Sequence, residues 1–302
     1  MKYILAIDSG ATKSDALLYP LDDFTNGKHK TKLFKFPFIN LNLLGFTESF
    51  KRLKNIIKDI NEIAGKGNIL AVSAGISGAR YEKDRKKLAA ALSKTTGIKQ
   101  IYILPDTEIA LAAAFDSTTK NCGILIAGTG SIFYYKSGDG KIKRIGGWGR
   151  HIGDEGSGHW IAREALYKVT KHYDKRLNSE TLAKVFKKEF GIDETNIIQH
   201  VYHRGFEISK LTKHVFRCAE NGDKVSIEII KDAADNLLTH FIPIKKQKYS
   251  VALMGSLLTE EKLLAMELKK AAKRYFPDIS FVKPEFPPVW GAVKYALQNA
   301  KF

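Results

Sequence analysis

Residues 3–19 read YILAIDSGATKSDALLY, and residues 121–136 read NCGILIAGTGSIFYYK. Each stretch places a turn of small residues, including a threonine, between two apolar segments. Short apolar runs bounded by turn residues are typical of buried strands, so each stretch predicts a β-hairpin. Because the same plan occurs twice, the sequence predicts an internal duplication with a boundary near residue 117.

Strands and helices alternate after each hairpin. Apolar runs and helical periodicity give the following predicted segments: strands at 32–38, 69–76, 100–106 and one from 251, and helices at 47–64, 84–96, 107–115, 179–190, 200–220, 225–242, 260–276 and 291–300, with one more after residue 156. Alternation of this kind predicts an α/β fold, here with two domains and a cleft between them.

Composition narrows the class of protein. The chain has 302 residues, of which 44% are hydrophobic and 27% charged, as in ordinary globular proteins. No stretch has the signal-peptide pattern or the roughly 18 uncharged residues of a membrane span. The two cysteines, Cys122 and Cys218, are read as free thiols, so we expect a cytoplasmic protein without membrane contact.

The net charge of +17 raises the question of nucleic-acid binding. Lysine accounts for 39 of the 49 basic residues, and the lysines are scattered along the chain. Arginine, which reads bases and clamps phosphate, is scarce. We therefore expect a lysine-rich solvated surface rather than a nucleic-acid partner.

Two turns carry residues suited to phosphate binding. In DSGATKS (8–14), the amides of Gly10 and Ala11, the Thr12 hydroxyl and the Lys13 ammonium could surround a phosphate. Asp8, at the end of the strand, could hold Mg²⁺ through waters. A polar hairpin turn needs the same residues, so both interpretations stay open for this turn alone.

The second turn is AGTGS, in which Gly128, Thr129, Gly130 and Ser131 could wrap phosphate oxygens in the same way. A simple hairpin turn is again the alternative. The occurrence of one such turn in each half points to a nucleotide clamp.

Three further stretches have residues that could serve a site. Asp106 follows a strand and precedes a helix, where its carboxylate could cap the amide of Glu108 or Ile109 or act as a general base. Ser77 lies in GISGAR, where small residues leave room for a ligand. IGGWGRHIGDEGSGHW (145–160) places Asp154 and Glu155 among glycines.

These motifs together resemble the actin/Hsp70/sugar kinase superfamily. Within it, GGWGRHIGDEGSGHWIA (146–162), PDTEIALAAA and the closing PPVWGAVKYAL resemble the N-acetylglucosamine kinases of the BadF/BadG/BcrA/BcrD-type ATPase family. The resemblance covers residues 4–297.

The resemblance implies an α/β fold of two ribonuclease H-like (actin-like ATPase) domains, residues 1–117 and 118–287, with nucleotide in the interdomain cleft. A C-terminal helix, about 288–302, would pack back on the first domain. ATP would place its phosphates between the loops at 8–14 and 127–131, with Asp8 organising Mg²⁺. Gly255 and Ser256, in MGSLL, would form the adenosine pocket.

For the substrate, the resemblance implies phosphorylation of the 6-hydroxyl of N-acetylglucosamine or a close relative, with Asp106 as the base. The implied sugar-binding positions are Asn40, Ser77, Asp106, Gly147, Asp154 and Gly158. Because Asn42 is only two residues from Asn40, the resemblance leaves open which of the two asparagines contacts the sugar. The partner is thus a small-molecule amino sugar, and a homodimer is common in such kinases.

The chain departs from the family pattern at Ser9 and Ala11, where the family often has glycine. Kinases for glucosamine or N-acetylmuramic acid are the nearest alternatives. An ATPase that activates an electron-transfer enzyme would carry a cysteine-bound iron–sulfur cluster, whereas Cys122 lies in a predicted strand and Cys218 in a predicted helix. A non-catalytic scaffold is disfavoured by the presence of Asp8, Asp106 and Asp154.

Overall fold

A computed structural model describes residues 1–10, 13–21, 31–203 and 205–302 of the chain. The chain divides into two compact units. The first comprises Met1–Thr119 and Lys283–Phe302, and the second is the continuous segment Lys120–Val282. Within the described ranges, no helix has the length and apolar character needed to span a membrane.

The first unit contains a five-stranded sheet, formed by β1 (Tyr3–Ser9), β2 (Lys13–Pro20), β3 (Lys32–Pro37), β4 (Ile69–Ile76) and β5 (Gln100–Pro105). The strand order is β3-β2-β1-β4-β5. β1 is antiparallel to β2 and parallel to β4, so the predicted hairpin lies at the centre of the sheet.

Helices cover both faces of this sheet. Because side chains alternate along a strand, Leu5 and Ile7 join a core with α1 (Leu41–Ala64) and α2 (Glu82–Thr96). Ile4 and Ala6 join a second core on the opposite face. That second core includes residues of α3 (Asp106–Ala114) and of the C-terminal helix, Pro288–Asn299.

The C-terminal helix lies very close to α3. A Cβ atom on Gly291 would come 1.8 Å from the carbonyl oxygen of Ile109, so only glycine permits this backbone contact. Ala292, Val293 and Ala296 of the same helix are buried against the sheet. The last helix of the chain is therefore an integral layer of the first unit.

The second unit repeats the sheet. Its strands are β6 (Cys122–Ala127), β7 (Ser131–Lys136), β8 (Ile142–Gly146), β9 (Tyr249–Met254) and β10 (Ile279–Val282), in the order β10-β9-β6-β7-β8. β6 and β7 form an antiparallel hairpin, and β9 pairs parallel to β6, as β4 does to β1. The same topology in both units confirms the predicted duplicated α/β fold.

The helices of the second unit are α4 (Gly158–Tyr173), α5 (Glu180–Phe190), α6 (Ile197–Tyr202), α7 (Thr212–Glu220), α8 (Lys224–Leu238), α9 (Ser256–Thr259) and α10 (Lys262–Tyr275). Short 3₁₀ segments occupy Ile208–Leu211 and Thr239–Ile244. Phe133, Phe186, Phe216 and Phe241 are among the large side chains fully buried in this unit.

Several predicted boundaries were wrong. The helix expected at 200–220 is broken into α6, a 3₁₀ turn and α7, and Gly205, with φ of 59°, lies in the break. The helix expected from residue 47 begins at Leu41, because Asn40 caps it. Gly45, with φ of 69°, introduces a kink in its first turns. β8 and β10 were not predicted.

Candidate functional site

In the first unit, three carboxylates meet near the C-terminal end of β1. Asp8 pairs with Asp15 on β2 and lies beside Gly75 on β4. Asp8 is partly buried, and this desolvation, with the charges of Asp106 and Asp15, raises its pKa to about 7. Lys13 opposes the shift, and its ammonium lies 3.4 Å from an Asp15 carboxylate oxygen.

Asp106 is held next to this group by the packing of α3. A Cβ atom on Gly75 would lie 3.3 Å from the Cα of Asp106 and 2.2 Å from the Cδ1 of Ile109. Because Gly75 has no side chain, α3 can begin directly over β4. Glycine at this position therefore brings Asp106 close to Asp8, whose pKa responds to its charge.

The Asp106 carboxylate accepts a hydrogen bond from the backbone amide of Thr107 at 2.9 Å, and the nearby Ser77 side chain acts to lower its pKa. The predicted cap of Glu108 or Ile109 is not formed, because α3 begins at Asp106 itself and its N-cap residue is Pro105. Desolvation outweighs these effects and raises the pKa of Asp106.

Asn40 is linked to the same group through Ser77. The Asn40 Nδ2 donates to the Ser77 Oγ at 3.3 Å, and the two residues form an isolated parallel bridge. The Asn40 Oδ1 accepts the amides of Asn42 at 2.9 Å and Leu43 at 3.1 Å, which caps α1. Of the two candidate asparagines, Asn40 is thus the one bonded to Ser77, whereas Asn42 is exposed beside Gly78.

The β1–β2 turn closes with the Gly10 amide donating to the carbonyl of Lys13 at 3.2 Å. Ala11 and Thr12, two of the predicted phosphate-binding residues, lie outside the described residues. Lys13 is exposed at the start of β2. The structure therefore describes the ends of this turn, where its backbone enters and leaves the sheet.

The corresponding turn of the second unit is joined to the start of α4. The Gly158 amide donates to the carbonyl of Gly128 at 2.8 Å, and the His159 amide donates to that of Thr129 at 3.2 Å. Thr129 is exposed, and its amide and that of Gly130 donate to no group among the described residues. Uncommitted amides in a glycine turn can donate hydrogen bonds to a phosphate oxygen.

Asp154 lies directly against this turn. A Cβ atom on Gly130 would come 2.8 Å from the Asp154 Oδ2, and the Ser131 amide donates weakly to Oδ1 at 3.4 Å. The Ser131 hydroxyl donates to the carbonyl of Glu155 at 2.7 Å. Desolvation raises the pKa of Asp154, and Ser131 and Gly149 amides oppose that rise. The glycine-rich stretch therefore holds its acid at the edge of the turn.

Two glycines of that stretch approach protein side chains. Gly146, with φ of 71°, leaves no room for a Cβ, which would lie 2.3 Å from the His240 Nε2. Gly147, with φ of 65°, is similarly packed against Ile132, at 2.4 Å. By contrast, nothing lies within 4 Å of a Cβ placed on Gly149. The open side of this loop is therefore at Gly149, and the closed side faces the core.

His240 is a neighbour of this loop that the sequence did not single out. It is buried, its Nδ1 lies 3.1 Å from the carbonyl oxygen of Leu237, and its Nε2 has no partner among the described residues. Burial lowers the pKa of His240, although the carboxylates of Glu155 and Asp154 oppose that effect. No motif in the sequence connects position 240 to the loop.

A cavity of about 690 Å³ lies within the second unit. Four of the predicted site residues line it: Gly128, Thr129, Gly158 and Ser256. Gly255, with φ of 85°, lies behind it, where a Cβ would contact the Ala127 carbonyl oxygen at 2.3 Å. The cavity volume is within the range of small-molecule sites.

Sequence reasoning missed most of the cavity wall. The additional lining residues are Glu189, Phe190, Ser209, Lys210, Thr212, Lys213, His214, Arg217, Leu257, Glu260 and Glu261. Phe190 and His214 contact each other with ring centroids 5.0 Å apart. These residues come from α5, the 208–211 turn, α7, α9 and the start of α10, so no local motif could have revealed them.

The two cysteines are buried free thiols, and burial raises the pKa of both. Among the residues that the structure describes, no group of three or more His, Cys, Asp or Glu side chains could hold a metal ion.

Known proteins with similar sequences are amino-sugar kinases by name. The chain is 29% identical to the N-acetylmuramic acid/N-acetylglucosamine kinase of Clostridium acetobutylicum, over 97% of both chains. It is 23% identical to the N-acetyl-D-glucosamine kinase of Dictyostelium discoideum, over 98% of both. A solved structure from Chromobacterium violaceum, of a candidate N-acetylglucosamine kinase, has a TM-score of 0.76 at 20% identity and covers 97% of this chain and 98% of its own.

At 20% identity the structural likeness establishes the fold alone. The family model of the BadF/BadG/BcrA/BcrD ATPases matches residues 5–296, which is nearly the whole length of the chain. The protein belongs to the BadF/BadG/BcrA/BcrD ATPase family.

Proposed function

We propose that this protein is a kinase that transfers the γ-phosphoryl group of ATP to the 6-hydroxyl of N-acetylglucosamine or a closely related amino sugar. The observation that carries the proposal is the linked set of Asn40, Ser77 and Asp106 beside Asp8. The names of the two similar kinases support the class of substrate. Glucosamine and N-acetylmuramic acid are the alternative substrates.

Asp106 is proposed as the general base. A base must reach the proton that it removes, and its pKa should lie near the operating pH. Desolvation raises the pKa of Asp106 towards that range, and its carboxylate is hydrogen-bonded to the Thr107 amide. Asp106 would take the proton of the sugar hydroxyl as that oxygen attacks the γ-phosphorus.

A magnesium ion needs only one or two protein carboxylates, and the first unit offers Asp8 for this role. Asp8, Asp15 and Asp106 are close enough for their charges to raise the pKa of Asp8, and the Asp15 Oδ1 is buried without a partner among the described residues. A hard cation would relieve that crowding, and Mg²⁺ usually binds through one or two carboxylates together with waters and substrate phosphates. We propose Asp8 as its main ligand, where the ion would neutralise phosphate charge.

For the nucleotide, we propose contacts in both units. Gly10, Ala11, Thr12 and Lys13 of the first unit, and Gly128, Thr129, Gly130 and Ser131 of the second, are the proposed phosphate-binding residues. Gly255 and Ser256 are proposed for the adenosine. The uncommitted amides of Thr129 and Gly130 and the adjoining cavity in the second unit support this assignment.

For the sugar, Asn40 and Ser77 are proposed contacts in the first unit, and Gly147, Asp154 and Gly158 in the second. The Asp154 carboxylate can accept hydrogen bonds from sugar hydroxyls, and one of its oxygens lies against Gly130. Gly147 and Gly158 are packed against Ile132 and Thr212, so backbone groups would make any contact at these two positions. The amide of Gly158 is already committed to Gly128.

The ATPase-activator alternative requires a cluster ligated by cysteine. Cys122 lies within β6 and Cys218 within α7, and both are buried, which does not favour ligation at a surface shared between subunits. A cytoplasmic location and a homodimer stay predictions from the sequence and the resemblance.

A coupled assay of ADP release across a panel of sugars tests the proposal. We expect release with ATP, Mg²⁺ and N-acetylglucosamine, and phosphorus NMR of the product should show a 6-phosphate ester. Glucosamine, N-acetylmuramic acid and glucose complete the panel. Absence of sugar-dependent ADP release across the whole panel would refute the kinase function, and a phosphate on another hydroxyl would refute the assigned position.

A further inference from the structure

A buried pair of serines lies at the base of the β1–β2 hairpin. Ser9 and Ser14 face each other in register across the two strands, both are fully buried, and their hydroxyl oxygens are 2.6 Å apart. Burying a hydroxyl costs free energy unless it is hydrogen-bonded.

Ser9 binds the backbone of a distant segment. Its Oγ accepts the amide of Ile39 at 2.7 Å and lies 3.0 Å from the carbonyl oxygen of the same residue. The Ser14 Oγ lies 2.9 Å from the carbonyl oxygen of Pro37. Each hydroxyl has one proton, so either Ser14 donates to Ser9 and Ser9 to Ile39, or Ser9 donates to Ser14 and Ser14 to Pro37.

The segment that Ser9 holds leads directly into a proposed sugar contact. Ile39 immediately precedes Asn40, and β3 ends at Pro37, so the sheet does not itself fix residue 39. The carbonyl of Ser9 also accepts the amide of Ser77 at 2.9 Å. One residue therefore binds the backbone next to Asn40 through its hydroxyl and the backbone of Ser77 through its carbonyl.

We propose that Ser9 is a positioning residue, whose buried hydroxyl sets the place of Asn40 against Ser77 and so shapes the sugar site. This inference rests on the proposed function. Without the hydroxyl, the Ile39 amide would lose its acceptor in a place that water does not reach. Residues 38–40 would shift to find another acceptor, and the Asn40–Ser77 hydrogen bond would weaken.

The test is Ser9→Ala, assayed with the sugar that the wild-type protein phosphorylates best. The KM for the sugar should rise roughly tenfold, as expected for a buried amide that loses its acceptor. The KM for ATP should stay within about twofold, because the nucleotide contacts are on other residues. A purely structural loss would instead lower the active fraction and leave both KM values unchanged.

Ser73→Ala is the matched control. Ser73 is fully buried in β4 of the same sheet, and its hydroxyl has no partner among the described residues. Its removal should leave both KM values unchanged. Ser14→Ala is the graded variant: the bonds from Ser9 to Ile39 survive, so the KM for the sugar should rise only about threefold.

The outcomes separate the two proposals. A wild-type protein with no activity on any sugar refutes the proposed function, whereas an active wild type with Ser9→Ala equal to Ser73→Ala refutes only the role of Ser9. Equal increases in the KM values for sugar and ATP would also refute it. If Ser9→Ala does not fold, Ser9→Cys decides, because a thiol is a weak hydrogen-bond acceptor for the Ile39 amide, and an unchanged sugar KM in that variant overturns the inference.

Discussion

Asp106 combines desolvation with a hydrogen bond from the Thr107 amide and the influence of the Ser77 side chain. Desolvation raises the pKa and the other two lower it, and desolvation prevails. A raised pKa makes the Asp106 carboxylate a better proton acceptor than an ordinary exposed aspartate. Ser77 and the Thr107 amide therefore belong to the surroundings that set the pKa of the proposed base.

Asp106→Asn should separate binding from turnover. Asparagine has the same shape and its Oδ1 can still accept the Thr107 amide, but it cannot accept the substrate proton. We expect kcat to fall by roughly 100- to 10,000-fold, the usual contribution of a general base, with the KM values changed less than about threefold. Steady-state kinetics give both numbers. As a control, Asp84→Asn, on the exposed side of α2, should behave as wild type. Normal turnover in Asp106→Asn would exclude Asp106 as the base.

His240 predicts how the stability depends on pH. Burial lowers its pKa in the folded protein, so as pH falls the unfolded chain, with a pKa of about 6.5, takes up the proton first. The stability that neutral His240 contributes is therefore complete above about pH 6.5 and declines as the pH falls below it. Glu155 and Asp154 oppose the shift and make the decline smaller.

His240→Gln should flatten that decline, measured as the denaturant midpoint between about pH 7 and pH 5. His159 and His214, whose pKa values are also lowered by burial, remain in the variant, so part of the slope should persist. His203→Gln, at an exposed position, is the control. A slope in His240→Gln as steep as in the wild type would contradict the prediction.

Among the elements, the pairing of α3 with the C-terminal helix depends on one glycine. Gly291→Ala would place a methyl group 1.8 Å from the Ile109 carbonyl oxygen, so the two helices would have to move apart. We expect a loss of about 1–3 kcal/mol in the free energy of unfolding, as for other overpacked cores. Because α3 begins with Asp106, kcat should fall as well.

Chemical denaturation and kinetics of Gly291→Ala measure the two effects. Gln298→Ala, at an exposed position of the same helix, should change the free energy of unfolding by less than about 0.5 kcal/mol. Unchanged stability in Gly291→Ala would mean that the contact between these helices is looser than the structure shows.

The elements that could be predicted from the sequence are those with a strong local signal. Both hairpins and the buried strand at 69–76 are apolar runs bounded by turn residues, and the structure confirms them. β8, with the sequence IKRIG, and β10, with ISFV, were missed because they are short and carry no clear alternation. The break near Gly205 was missed because the flanking residues continue a helical pattern.

The same distinction applies to the site. Asp8, Ser77 and Asp106 could be named from local motifs at strand ends or a helix start, whereas Asn40 was named only through the family resemblance. The structure places the four residues near one another. His240 and the wall of the cavity could not be predicted, because their proximity arises from helices that are far apart in sequence. In the sequence, Ser9 stood out only because the family often has glycine there, and nothing indicated that its hydroxyl binds the backbone of Ile39.

In the whole molecule, the proposed adenosine cavity lies entirely within the second unit, which is one continuous segment of the chain. ADP alone should therefore raise the thermal unfolding midpoint, and at about 100 times its Kd the stabilisation should reach about 2.7 kcal/mol. Ser256→Phe should abolish the shift, because Ser256 lines the cavity and is exposed, so that a ring could occupy the space. Lys262→Phe, at an exposed position that does not line the cavity, should keep the ADP-induced shift. A full ADP-induced shift in Ser256→Phe would contradict the assignment.

The division of the chain has a consequence for its synthesis on the ribosome. The second unit is one uninterrupted segment, whereas the first needs both Met1–Thr119 and Lys283–Phe302. During translation the second unit can therefore complete its core while the first still lacks the helix that covers α3. The helix that begins with Asp106 gains its packing partner only when residues 288–299 have emerged. A prematurely terminated chain would therefore carry the proposed nucleotide cavity but incomplete surroundings for the proposed base.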